Sequence, residues 1–302
     1  MTGTTALTRA EATALVHVLA DSVAKRAGIR ALLVKGPFAS KMGLRPERIS
    51  SDADILVDPG RFDDYIQALG ALGWTPRPET GFPSLMAPHS RALIHPEWPV
   101  DIDAHHTWPG FLIDPQVAFE HLWTSRVEVT LAGVPLTTTN RPHTALIVGL
   151  HSLREREALL EADYRRRDER VLADALRADP ALLDAVRAEA EALGAVQTVW
   201  PLLEAVGAGP APEAADSEPL RRWRARTVAR HPLTAWLYEL RDASWSRRAV
   251  IVWRGLFPRA EQLRALDPSA ATSADLARVW WARLARGVKT LGEAYRDLVR
   301  GR

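Results

Sequence analysis

The sequence predicts an α+β chain: a mixed α/β domain over residues 1–140, followed by a helical half over residues 141–302. Three observations carry this expectation. Short apolar runs at 30–34 and 52–57 stop at Lys35-Gly36-Pro37 and Asp58-Pro59-Gly60, as buried strands ending in turns do. Amphipathic stretches with helical spacing lie between such runs. From residue 141 the text turns to Ala, Leu, Arg and Glu at helical period, broken at Asp179-Pro180 and Gly194.

Each element has a local cause. Residues 8–27 form a helix, with Thr8 as N-cap and Glu11, three residues on, as its capping-box partner. Residues 30–34 form a buried strand. Pro37 then opens a helix as its first residue, where a missing N–H has no partner to lose. Residues 52–57 are a second strand and 61–72 an amphipathic helix ending at Gly73. Residues 91–95 and 98–104 are further strands, and 126–130 with 134–137 form a hairpin around Ala132-Gly133. Residues 206–219 are small, polar and Pro-rich and read as a loop or linker. Residues 220–302 return to helical patterns that carry Trp223, Trp236, Trp245, Trp253, Trp280 and Trp281. There is no internal repeat.

Composition excludes several classes. With 47% hydrophobic and 25% charged residues, the chain is not a mostly disordered one. Its 39 basic and 37 acidic residues leave a formal charge of +2, so a general nucleic-acid coat is not indicated and no DNA partner is expected. The absence of cysteine excludes disulfides, cysteine-based zinc sites and thiol nucleophiles. Apolar runs such as Ala249 to Trp253 are far shorter than the ~20 residues that span a bilayer, so no membrane partner is expected. The N-terminus lacks the basic start and apolar core of a signal peptide, which makes a cytoplasmic protein the expectation.

The sharpest local feature is Ser51-Asp52-Ala53-Asp54-Ile55-Leu56-Val57. Alternate residues of a strand share a face, so Asp52 and Asp54 project together while Ala53 and Ile55 face the core. Such a pair is tolerable with a cation between the carboxylates or with both in water. An isolated Asp-x-Asp is more often just a solvated strand end. A second alternation, Val100-Asp101-Ile102-Asp103-Ala104-His105-His106, supplies further acids. If the two strands are neighbours, three carboxylates converge in a setting that suits Mg²⁺ or Mn²⁺ with substrate phosphates. Adjacent His105 and His106 point to opposite faces, so at most one joins such a site; both read as structural or substrate-facing. Lys35-Gly36-Pro37 offers backbone N–H groups and a lysine to an anion, or is simply a tight strand-to-helix turn.

Together, a strand, Lys35-Gly36, an intervening helix, Arg48-x-x-x-Asp52-x-Asp54 followed by Leu56-Val57, and then Val100-Asp101 resemble the uncharacterised nucleotidyltransferase-like family of the DNA polymerase β nucleotidyltransferase superfamily. The stretch from Val134 to Leu153, with Pro142-His143 and His151, resembles the start of that family's helical half. Phe257-Pro258 with Leu263-Arg264 resembles its C-terminal segment. The resemblance covers most of the chain and thins after residue 160. It implies a polymerase β-type mixed sheet with flanking helices, two metal-binding aspartates on one strand and a third on a neighbour. The Gly-containing turn would hold a nucleoside triphosphate. The chain departs from the superfamily in having Lys-Gly-Pro where Gly-Ser or Gly-Gly is usual, with Ser40 a helical turn later. Asp103 stands where the family often has His. Asp101 is the expected third ligand, with Asp103, on the same side, in reserve.

On this resemblance, Asp52 and Asp54 bridge two Mg²⁺ or Mn²⁺ ions, and Asp101 holds the ion that binds an acceptor hydroxyl. The hydroxyl attacks the α-phosphorus and pyrophosphate leaves. In a variant reaction a phosphoryl group moves instead. Lys35, Gly36, Ser40, Arg48 and Ser51 are the nucleotide-contact candidates. Arg48 pairs with Asp52 or phosphate, or forms a structural salt bridge that fixes its loop. The acceptor is a small molecule, a peptide or RNA. A reading from another class is a non-catalytic adaptor that binds a peptide or partner through its Trp-rich helices. A glycosyltransferase reading of Asp-x-Asp lacks the long doubly wound pattern it needs. Arg221-Arg222-Trp223-Arg224-Ala225-Arg226 can stack on single-stranded nucleic acid, but such tryptophans more often anchor helix packing under Arg stems. Arg165-Arg166-Arg167 reads as a solvated helix face, and His151 as a buried histidine of an apolar helix.

Overall fold

A continuous apolar strand inside a mixed sheet, next to its central strand, organises the first half of the chain. The computed structural model describes all residues except 1–6, 79–88, 155–161, 214, 229–232, 234–236, 238–239, 242, 268 and 301–302. Trp236 lies outside the described residues. The chain divides into two compact units. The first comprises residues up to 77, 89–153 and 163–216; the second comprises 217–302 and two short segments.

In the first unit, α1 (Arg9–Arg26) starts from the expected capping box: the Glu11 N–H donates to Thr8 Oγ1 at 3.3 Å, and the Thr8 N–H donates to Glu11 Oε2 at 2.9 Å. β1 (Ala31–Val34) is buried at every position, which its Ala-Leu-Leu-Val sequence requires. α2 (Gly36–Lys41) begins one residue before the expected Pro37. Then follow β2 (Asp52–Val57), a 3₁₀ turn, α3 (Phe62–Gly70), β3 (Thr75–Pro76), β4 (Ser90–Ile94) and β5 (Asp101–His105). β5 starts three residues later than the sequence pattern places it, because 96–99 form a turn. α4 (Pro115–Thr124) precedes the hairpin β6 (Val127–Leu131) and β7 (Val134–Thr138). Ala132 and Gly133 both take positive φ, 50° and 77°, as the tight hairpin turn demands.

The strands form one seven-stranded mixed sheet in the order β3-β4-β5-β2-β1-β7-β6. β2 runs antiparallel to β1 and parallel to β5. Ala53, Ile55, Val57, Ile102 and Ala104 are buried in a core cluster with residues of α1 and α3. Burying a side chain such as Ile55 or Ile102 contributes about 1.5–3 kcal/mol. A one-residue slip of either strand would exchange these for acids, so the core fixes the register. The expected fold class, a mixed sheet with flanking helices, is the one observed.

The composition change at residue 141 marks a switch from strands to helices within this unit. α5 (Arg141–Leu153) is buried almost all round, from His143 to Leu150 without a break, so it sits inside the unit rather than on its surface. α6 (Ala162–Ala178), α7 (Pro180–Ala192) and α8 (Val196–Ala205) complete it. In the segment 206–219, expected as a loop or linker, the described residues up to Ser217 form no helix or strand, and Glu218 and Pro219 already belong to the next helix.

The second unit contains α9 (Glu218–Val228), α10 (Trp245–Leu256), α11 (Ala260–Leu266) and α12 (Ser273–Arg300). Trp223 is buried, as a packing anchor is, and Trp280 Nε1 donates to the Leu256 carbonyl at 2.6 Å. Trp245, Trp253 and Trp281 are exposed. Among the described residues, no helix is long and apolar enough to cross a membrane.

Candidate active site

Register brings the acids together. In the parallel pair β2–β5, Asp52 stands opposite Asp101 and Asp54 opposite Asp103, with Ala53 opposite Ile102 between them. Since Ala53 and Ile102 face the core, the four carboxylates share the other face of the sheet. β1 adds the cation: Val34 is registered against Asp54, and Lys35 follows at the strand end. Lys35 takes a positive φ of 55°, turning its side chain off the strand line. Its Nζ lies 2.7 Å from Asp54 Oδ1, 3.5 Å from His151 Nδ1 on α5 and 5.2 Å from the centre of the Trp108 ring.

His105 completes the cluster. It is two residues beyond Asp103 on the same strand, hence on the same face. Its Nε2–H lies between two carboxylates, 3.0 Å from Asp54 Oδ1 and 3.2 Å from Asp103 Oδ2, and its ring is 4.8 Å from that of Trp108. Burial pushes Asp54 upward, but the charges of Lys35 and His105 outweigh it and the net shift is down. For Asp103, burial is again outweighed, by the charge and hydrogen bond of His105 and by Lys35. His105 mirrors them: burial acts downward, and Asp103 and Asp54 raise it on balance. Lys35 and His105 thus favour the ionised form of the two acids, and the acids favour the protonated form of His105. Asp52 is the surplus acid, and burial together with the Asp54 charge raises it to about 6.

The other expected residues are placed as follows. Asp101 pairs with Arg77, and its main-chain N–H donates to the Ser51 carbonyl at 3.3 Å. Ser51 is exposed. Ser40 Oγ donates to the Pro46 carbonyl at 3.2 Å, bracing the loop after α2. Arg48, though exposed, pairs with Asp168 rather than with Asp52. Its Nη2 lies 3.1 Å from Asp168 Oδ2 and its guanidinium 4.6 Å from the Tyr164 ring centre, so it ties the 43–51 loop to α6. Gly36 is buried at φ 45°; a Cβ there would approach His17 Nε2 to 3.1 Å, so the turn needs glycine for both backbone and space.

Sequence reasoning set His105 aside as structural or substrate-facing and missed Arg45. His105 had a readable signal, its strand parity with Asp101 and Asp103. Arg45 had none. It is 6% exposed and its Nε and Nη2 have no hydrogen-bond partner; burial and the Arg48 charge disfavour its cation, and Asp168, then Asp54 and Asp52, favour it. A buried guanidinium with unpaired donors is costly unless an anion meets it.

The donor set fits a divalent ion. Asp54, Asp103 and His105 bring donor atoms within 4.8 Å of one another, and with the Nε2–H of His105 shared between the acids the donors left for an ion are carboxylate oxygens. Asp103 Oδ1 is buried with no hydrogen-bond partner. Carboxylate oxygens of this kind suit magnesium or manganese.

No protein-family model matches the chain, and no curated protein does. It is similar to solved structures of nucleotidyltransferase type. One is an antigenic nucleotidyltransferase-like protein from Paracoccidioides brasiliensis, 13% identical over 65% of this chain and 93% of that one, with a TM-score of 0.37. Another is the antibiotic-resistance factor ANT(2'')-Ia, 15% identical over 64% of this chain and 89% of that one, TM-score 0.36. A third is a tRNA nucleotidyltransferase complexed with a primer tRNA and an ATP analog, 13% identical over 94% of both chains, TM-score 0.25.

Proposed function

We propose that the chain transfers a nucleotidyl group from a nucleoside triphosphate to a hydroxyl of an acceptor, with the acid face of β2 and β5 as the catalytic centre. The observation that carries this reading is the register that sets Asp52 and Asp54 against Asp101 and Asp103, next to Lys35. Asp52, Asp54 and Asp103 would hold Mg²⁺ or Mn²⁺. Asp103 is preferred to Asp101 as the third carboxylate, since Asp101 is engaged by Arg77 while Asp103 keeps a buried oxygen without a partner. The ion, when bound, supplies charge for the phosphoryl oxygens and lowers the pKa of the attacking hydroxyl.

The protein's own residues do the positioning. His105 donates its Nε2–H to Asp54 and Asp103 and fixes their spacing. Lys35 places a positive charge at the edge of the cluster, and the buried guanidinium of Arg45 adds a second positive charge behind it. Arg48 holds the loop that carries Arg45 through Asp168. Positioning and charge neutralisation are the principal sources of rate in phosphoryl and nucleotidyl transfer.

A melting series tests the reading. Mg²⁺ with each ribonucleoside triphosphate is expected to raise the melting temperature by mass action, and Asp54→Asn to abolish the rise. No rise in the wild type, or an equal rise in Asp54→Asn, would overturn it.

One observation favours a second reading, an adaptor that binds a partner through its tryptophans: Trp245 is 83% exposed, and Trp253 and Trp281 are 64% exposed. Under that reading Trp245→Ala and Trp281→Ala abolish partner capture while Asp54→Asn leaves it intact.

A further inference from the structure

Three side chains from three helices of the first unit converge away from the carboxylate face. His121 on α4 and His143 on α5 both point Nε2 at one oxygen of Glu189 on α7, at 2.5 and 2.8 Å. The ligand atoms of all three lie within 4.8 Å of one another, and the two imidazoles stand edge to face with centroids 5.3 Å apart. His143 is completely buried, whereas the His121 and Glu189 side chains are 38% and 24% exposed.

We propose that His121, His143 and Glu189 form a second metal centre, a two-histidine, one-carboxylate site that takes Zn²⁺ and pins α4, α5 and α7 together. The residue types match. Zinc takes imidazole nitrogen and carboxylate oxygen, and two histidines with one glutamate is a known three-ligand set that leaves the fourth position to water. The outer shell matches as well. Ser125 Oγ lies 3.2 Å from His143 Nδ1, so the nitrogen opposite the ligating one is held in place. A hydroxyl serves both states of that ring. It donates to Nδ1 when His143 Nε2–H bonds Glu189, and accepts from Nδ1–H when Nε2 carries a metal. The His143 main-chain N–H is in turn bound by Asn140 Oδ1 at 2.9 Å, fixing the start of α5.

The metal-free distances fit the same conclusion. Donors on a tetrahedral zinc with bonds of about 2.0–2.1 Å are separated by about 3.3 Å. The nitrogens and the Glu189 oxygen need move apart by less than ~1 Å to admit the ion. The exposed edges of His121 and Glu189 give the ion and a water access. This centre is separate from the carboxylate cluster: on the shared helix α5, His143 lies eight residues before His151, the neighbour of Lys35, or ~12 Å along the axis.

The test uses the full chain stripped with a chelator and dialysed against Zn²⁺, with bound metal read by elemental analysis. Co²⁺ is then substituted and its visible ligand-field spectrum recorded. The proposal expects one zinc per chain beyond any ion held at the carboxylate face, a raised melting temperature and a tetrahedral Co²⁺ spectrum. It expects all three to persist in the Asp52→Asn/Asp54→Asn double variant. His121→Gln is the main variant, because its half-exposed position spares the core; it should weaken zinc binding about tenfold or more, as ligand loss does. Glu189→Gln, which keeps the shape of the side chain, should do the same. No zinc uptake by the wild type overturns the proposal. So does zinc binding that disappears in the double aspartate variant, or that survives when His121→Gln is added to that variant.

Discussion

Asp54 and Asp103 stand opposite each other on parallel strands and accept the same proton donor, His105 Nε2–H, at 3.0 and 3.2 Å. Two carboxylates on adjacent strands repel each other at close range, and the repulsion grows as water is excluded. The shared histidine and the Lys35 ammonium, 2.7 Å from Asp54, are what allow the pair to stay ionised.

Deleting that donor while keeping an aromatic ring is the direct check. His105→Phe keeps a ring beside Trp108 but leaves Asp54 and Asp103 facing each other without the N–H. The metal-free protein should lose about 3–5 kcal/mol in urea unfolding, the usual cost of removing one partner from a buried charge cluster. A loss near zero would show that the histidine does not hold the acids.

His17 gives a pH-dependent prediction. It is fully buried, and its Nδ1–H donates to the Thr13 carbonyl at 2.6 Å while Nε2 has no partner. Burial lowers its pKa below the ordinary histidine value. The unfolded chain therefore takes up a proton below about pH 6.5 that the folded chain resists, and stability falls as pH falls through that range. His105 is shifted the opposite way, so the wild type alone cannot isolate the effect. The stability difference between wild type and His17→Leu should shrink in favour of the variant from about pH 7.5 to pH 5, by at most about 1.4 kcal/mol per pH unit. A difference independent of pH would remove His17 from the acid limb.

The core face of β2 should answer separately from its acid face. Ile55 is completely buried, and Ile55→Ala is expected to cost about 2–5 kcal/mol, a cavity-forming truncation. The variant, while folded, should keep its Mg²⁺–nucleotide melting shift. Loss of the shift at temperatures where circular dichroism still reports a folded chain would mean that the two faces are not independent.

The strands were readable where composition and turn chemistry agreed. β2 runs from Asp52 to Val57, as its alternation and its Asp58-Pro59-Gly60 stop predict, and the Thr8–Glu11 box starts α1 where it should. Both signals are local. The partners of charged groups were not readable, because they come from helices packed much later. Arg48 finds Asp168, 120 residues away, and His143 finds Glu189, 46 residues away. Lys35 was read as a phosphate candidate or a plain turn residue; its contact with Asp54 is a consequence of the β1–β2 register that no spacing in the sequence specifies. His105 shows the intermediate case: its parity with Asp101 and Asp103 was available, and only the pairing with β2 revealed that it touches both acids.

The decisive measurement follows two labels in parallel, one on the α-phosphate and one on the γ-phosphate of a nucleoside triphosphate, in cell extract with Mg²⁺ and the purified chain. Nucleotidyl transfer predicts that the α-label passes to an acceptor while the γ-label leaves in pyrophosphate, and that Asp52→Asn or Asp54→Asn abolishes both events. Label transfer that is indifferent to both aspartates, or no transfer and no pyrophosphate with the folded wild type, would contradict it.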